Sequence, residues 1–125
     1  MSEPDEPPFA TERWVLIMCD YTAEGVWDRR GRACAVDDLP VADNIRAMIR
    51  GWQEWYEYSD LRPETCWFDL EAHAAFGLFI AKLVKQSLPD WTVVYFDESK
   101  PTNNWQPGEP RDHFEYEITA AMIEL

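Results

Sequence analysis

The stretch DLEAHAAFGLFIAKLVKQSLPDWTVVYFD, residues 69–97, holds both periodicities from which a fold class can be read. Asp69 is a suitable N-cap, and the pattern predicts a helix from there to about Leu88, stopped by Pro89. Leu70, Ala74, Gly77, Ala81, Val84 and Leu88 form a narrow stripe of mostly small residues, which Phe76, Phe79, Ile80 and Leu83 widen. Small residues let a helix approach a sheet closely, so this helix is expected deepest in the core. Residues 91–97 then turn aromatic and β-branched, a strand entered straight from the helix.

Upstream, residues 59–68 read as a linker containing Pro63. Before it, Asp43 is read as the cap of a second amphipathic helix whose apolar positions Ile45, Met48, Ile49, Trp52, Trp55 and Tyr56 form one stripe. Arg50 and Glu54 stand one turn apart on its polar side. Trp14 to Cys19 is a continuous apolar run, too short for a stable helix and suited to a central strand covered on both faces. Residues 26–34 place two short strand-like pieces around Gly31, a hairpin. Downstream of Asp97 a loop of some fifteen residues leads to Phe114–Ala120, whose alternation predicts a strand with Glu115 and Glu117 turned to solvent. Two helices in succession without an intervening strand imply an α+β domain. The expected architecture is a mixed or antiparallel sheet of about 4–5 strands with both helices on one face.

A chain of 125 residues with 46% hydrophobic residues and seven Trp can bury a core of its own. Residues 1–13 are read as a flexible acidic leader and 14–125 as a single domain. The leader lacks the basic and apolar start of a signal peptide, and no apolar run approaches the roughly 20 residues of a membrane span. Cys19, Cys34 and Cys66 are odd in number and widely spaced, implying no disulfide framework, and the expected compartment is the cytoplasm. The net charge of −13 repels phosphate backbones and anionic membranes, which disfavours both as partners. Most of it lies at the chain ends: residues 1–28 hold seven acids and one base, residues 97–125 seven acids and two bases.

The chemical inventory is thin. His113 lies between Asp112 and Glu115, but strand neighbours point to opposite faces, so it reads as a surface histidine; His73 reads as partly buried in a helix. Cysteine and histidine spacings match no zinc pattern. The clusters Asp37-Asp38, Asp97-Glu98 and Asp20 with Glu24 lack EF-hand spacing, so no metal or other cofactor is implied. Glycine-rich phosphate loops and nucleophile elbows are absent. What remains is an excess of acid combined with aromatics at Tyr21, Trp27, Tyr58, Trp67 and Trp105, a composition suited to a protein interface.

The hairpin WDRRG (27–31), the helix entry DLPV (38–41), the second helix and LPDWTVVYFD (88–97) together resemble a small uncharacterised bacterial protein family, over roughly residues 14–98. Similar acidic domains occur as immunity proteins that neutralise secreted toxins, and the resemblance implies such a role without carrying over any site residue. The expected function is thus a non-enzymatic, acidic protein-binding domain that masks a basic partner such as a toxin. Its candidate contact residues are Asp20, Glu24, Trp27, Asp97, Glu98, Trp105, Glu115 and Glu117. The alternative is a small enzyme or ligand-binding domain with a pocket between the sheet and the second helix, using His73, Asp20 or Asp97.

Overall fold

The computed structural model describes residues 8–61, 69–100, 106–109 and 114–123. In chain order these form α1 (Pro8–Glu12), β1 (Trp14–Ile17), β2 (Val26–Trp27), β3 (Ala33–Cys34) and a 3-10 turn at Val36–Asp38. There follow α2 (Asp43–Leu61), α3 (Leu70–Ser87), β4 (Thr92–Phe96), β5 (Glu115–Glu117) and α4 (Ala120–Ile123). The fold is α+β. Its five-stranded mixed sheet has the order β3-β2-β1-β4-β5, with β1 parallel to β4 and every other pair antiparallel.

The helix predicted from Asp69 forms as expected, because the Asp69 side chain accepts from the Ala72 N–H and satisfies one of the first-turn donors. At its far end Lys85 donates to Pro89 O and Trp91 O, so the helix is tied to the start of β4. In α2, Asp43 sits inside the first turn rather than capping it: Ala42 O takes the N–H groups of Ile45 and Arg46, while Arg46 bonds Leu39 O, Val41 O and Asp43. Arg50 pairs with Asp37 of the 3-10 turn instead of Glu54, one turn away.

Strand register assigns the faces. Val15 lies beside Val93 and Ile17 beside Tyr95, and the Tyr95 hydroxyl donates to Ala74 O of α3 at 2.6 Å, so these residues face the helices. Trp52 of α2 and Ile80, Ala81 and Val84 of α3 complete the same core. At Gly77 the helix comes so close that an added Cβ would strike Trp52 and stand 2.6 Å from the Tyr95 hydroxyl. The small-residue stripe is therefore the contact face of α3, as its composition predicted. Its edges differ from expectation: Leu70 and Phe79 are exposed, Phe79 by 51%.

Two further readings are corrected. The packed domain starts before residue 14, since Pro8–Glu12 is helical and Phe9 is fully buried against the edge of Trp91 at 5.9 Å. An aromatic ring at the end of a stretch of acids and prolines found a core site that the composition of that stretch does not announce. The last strand is shorter than expected: β5 spans three residues, and Ala120 opens α4.

Candidate functional site

Among the described residues, Trp52, Tyr95 and the bare backbone at Gly77 fill the space between the sheet and α3. One groove runs between α2 and α3 along Met48, Gly51, Trp55 and Phe76, another between α3 and α4 along Phe79, Lys82, Leu83, Gln86, Met122 and Ile123, and a third, more polar one along Ala23, Glu24, Arg50, Gln53, Glu54 and Glu57. The first is lined almost wholly by apolar side chains, without the converging polar groups that orient a substrate. Among the described residues no three His, Cys, Asp or Glu side chains gather as metal ligands.

The tertiary structure does assemble one pair that the sequence separates by 54 positions: Cys19 Sγ lies 3.7 Å from His73 Nε2. Such a pair suggests an activated nucleophile, but its surroundings hold it neutral. His73 Nε2 is 3.1 Å from Trp52 O, and a carbonyl only accepts, so that nitrogen carries the proton and is no base toward the thiol. Burial pushes the Cys19 thiol far up, with Glu98, Glu57 and Asp20 adding to it, and burial holds His73 below its usual value. His73 is 1% exposed, stacks on Trp52 at 5.1 Å and meets Trp55 edge-on at 4.9 Å. The pair is core.

The sequence-predicted contact residues divide into two groups. Trp27, Glu115 and Glu117 lie on the sheet face opposite the long helices. The register puts Trp27 beside Leu16, Leu16 beside Val94 and Val94 beside Glu117, an unbroken row across four strands. Phe96 stands next to Glu115 in the row beyond, and Trp14 next to Thr92 in the row before. Leu16 is buried; Trp14, Trp27, Thr92, Val94, Phe96 and Glu115 are half-buried; Glu117 is exposed. Glu115 is thus less open than alternation alone implied. The Trp27 ring is held in place, its Nε1 donating to Met18 O at 2.9 Å.

Asp20, Glu24, Asp97 and Glu98 form the second group, at one end of the sheet: Asp20 follows β1, Asp97 and Glu98 follow β4, which runs parallel to β1, and Glu24 precedes β2. Asp97 is buried and occupied within the fold, contrary to its expected surface role: Oδ1 accepts from the Ser99 N–H and hydroxyl, and Oδ2 from the Tyr116 hydroxyl at 3.2 Å. Glu24 stays exposed but accepts from the Val36 N–H. Asp20 turns the chain, its Oδ1 accepting from Tyr21 N–H and its backbone meeting Gln53 of α2. Glu98 is half-buried beside it. Burial first, and the Asp20 charge second, push the Glu98 carboxyl up to about 7. Tyr21 and Tyr58 are more than half exposed. Trp105, with Trp67, Cys66 and His113, lies outside the described residues.

Compared with protein-family models, curated proteins and solved structures, the chain matches none. No helix among the described residues is long and apolar enough to cross a membrane.

Proposed function

We propose that this chain is a non-enzymatic, acidic protein-binding domain that covers a basic surface of another protein. An immunity protein or inhibitor masking a toxin is the form of that role implied by the family resemblance. The observation that carries the reading is the row Trp27–Leu16–Val94–Glu117 on the face turned away from the long helices. It combines an apolar, aromatic centre with a carboxylate margin, the anatomy of a protein interface. Trp27 is already held by its bond to Met18 O, so little side-chain freedom is lost when a partner covers it. Glu115 and Glu117 border the row on one strand, and Asp20, Glu24 and Glu98 stand at the strand ends above it. A partner that offers arginine or lysine around an apolar patch fits both features. Among the described residues, the chemically reactive groups Cys19, His73 and Asp97 are buried.

The test uses a candidate basic partner, ideally the product of an adjacent gene, and maps its footprint by amide shift changes on the labelled domain. The expected footprint covers β1, β2, β4 and β5 with the strand ends. A footprint centred on Phe76 and Phe79, on the opposite side of the sheet, would refute the assignment of the face. Capture of a small molecule with slow turnover would refute the class.

A further inference from the structure

The helix α3 is apolar on more sides than its own sheet covers. Between Ala72 and Ala81 the one polar side chain is His73, and it is buried. A helix apolar all round is ordinarily a buried helix. The inner side of α3, with Ala74, Gly77, Ala81 and Val84, does lie in the core. Its outer side carries a second apolar stripe at three- and four-residue spacing, in which Ala72, Ala75 and Phe79 are exposed and Phe76 and Leu83 half-buried. Phe79 is 51% exposed, with its ring 6.3 Å from that of Phe76. Met48 and Trp55 extend this surface toward α2, and Met122 and Ile123 toward α4.

Charge narrows what can cover it. Residues 72–89 contain no acid, although 24 of the 125 residues are Asp or Glu. At a net charge of −13 two copies of the chain repel each other, and they do so least where the acids are missing. The stripe is bordered by one charge of each sign, Glu71, exposed in the first turn, and Lys82, half-buried near its far end. Neither belongs to any of the four ion pairs among the described residues. They are separated by three helical turns plus about 20°, so both stand on the same flank of the stripe.

We propose that a second copy of this chain covers the outer stripe of α3, in a two-fold dimer whose α3 helices pack antiparallel about the level of Gly77. A two-fold axis there makes each flank meet its own copy in reversed order. Glu71 then comes opposite Lys82 of the second copy, Ala72 opposite Leu83 and Ala75 opposite Phe79, each pairing occurring twice. Acid meets base and small residues meet large ones, so the stripe is complementary to itself in charge and in shape. From Ala72 to Leu83 it is about 18 Å long, well short of the roughly 800 Å² per partner of a standard interface, so the dimer is weak and exchanges readily. The row Trp27–Leu16–Val94–Glu117 lies on the other side of the sheet, so the pairing neither depends on the proposed binding face nor blocks it.

The experiment is sedimentation velocity on the whole chain from about 10 μM to about 1 mM, at about 0.15 M salt to shorten the reach of the net repulsion to roughly 8 Å, with amide shifts followed over the same dilution series. The average mass should rise from 14.7 kDa toward twice that value, and the shifts should concentrate in residues 72–83. Phe79→Glu, at an exposed position, should remain at 14.7 kDa throughout. Glu71→Lys or Lys82→Glu alone should weaken association by roughly threefold or more, since each puts like charges together twice, and the double exchange should restore it. A wild-type chain still at 14.7 kDa at about 1 mM overturns the proposal, and so do concentration-dependent shifts that fall on the sheet face instead; neither result depends on a variant folding. A double exchange no stronger than the single ones overturns the antiparallel pairing.

Discussion

Gly77→Ala adds a single methyl group at the point where α3 lies closest to its neighbours. The new Cβ would strike Trp52 and stand 2.6 Å from the Tyr95 hydroxyl and 2.8 Å from Trp52 Cε2. Neither ring can retreat cheaply: Trp52 Nε1 donates to His73 O at 2.9 Å, and the Tyr95 hydroxyl donates to Ala74 O at 2.6 Å. Both acceptors are on α3 itself, so moving the helix outward strains the same bonds. Over-packing costs about 1–3 kcal/mol, and one weakened buried hydrogen bond about 1 more. Replacing Gly by Ala inside a helix returns about 1 kcal/mol. The net expectation is a loss of roughly 1–3 kcal/mol, read as a lower urea midpoint at constant slope. Gly51→Ala is the internal control. It also lies within a helix, but its Cβ meets nothing within 4 Å, so it should stabilise the domain by about 0.5–1 kcal/mol. If Gly77→Ala is as stable as wild type, α3 does not press on Trp52 and the packing argument fails; if both variants shift alike, only helix propensity is being measured.

Three other outcomes can be checked. Glu98 has its carboxyl raised from 4.5 to about 7, so its share of stability is fully present below pH 4.5 and is lost as pH rises through 7. Allowing for its partial exposure, Glu98→Gln should exceed wild type by about 1–2 kcal/mol in urea at pH 8 and match it at pH 4, and equal gaps at both pH values would contradict this. Asp28 behaves in the opposite sense. Burial alone would raise its carboxyl, but the N–H groups of Arg32 and Arg30 and the Arg32 guanidinium outweigh that and hold it below 3.8. Asp28→Ala should cost about 1–3 kcal/mol at pH 7 and progressively less as pH falls below 3.8, which thermal melts across that range would reveal. For the binding face, Glu115→Gln with Glu117→Gln should slow association with a basic partner while leaving the melting temperature nearly unchanged. Raising salt from about 0.05 M to about 0.5 M, which shortens the Debye length from roughly 14 Å to roughly 4 Å, should do the same to wild type. Stopped-flow rates indifferent to both changes would remove electrostatic steering from the account.

Local chemistry was legible wherever the responsible residues are close in sequence. The Asp69 cap, the stop at Pro89, the hairpin with Gly31 at φ +82 and the amphipathic stripe of α2 each depend on side chains within a turn or two of one another. Their energies are set before the chain collapses, so periodicity and capping residues suffice to place them. The small-residue stripe of α3 belongs here too, because closeness of approach is limited by the helix's own side chains.

The pairings across the fold lay beyond that reach. Nothing local announces that β1 and β4, some 75 positions apart, run parallel, yet that pairing is what lines Trp27, Leu16, Val94 and Glu117 in one row. Phe9 was assigned to a leader because residues 1–13 are rich in acid and proline; it is buried because Trp91, 82 residues away, offers it a ring edge. Asp97 looked like surface until Tyr116 and Ser99 closed on it. The sequence by itself thus determined the two long helices, the strands that β1 and β4 became and the acidity of the domain, since those follow from composition and short-range sterics. The tertiary structure alone decided which carboxylates are buried, paired or opposed, because desolvation and Coulomb terms depend on distances that only the assembled sheet defines.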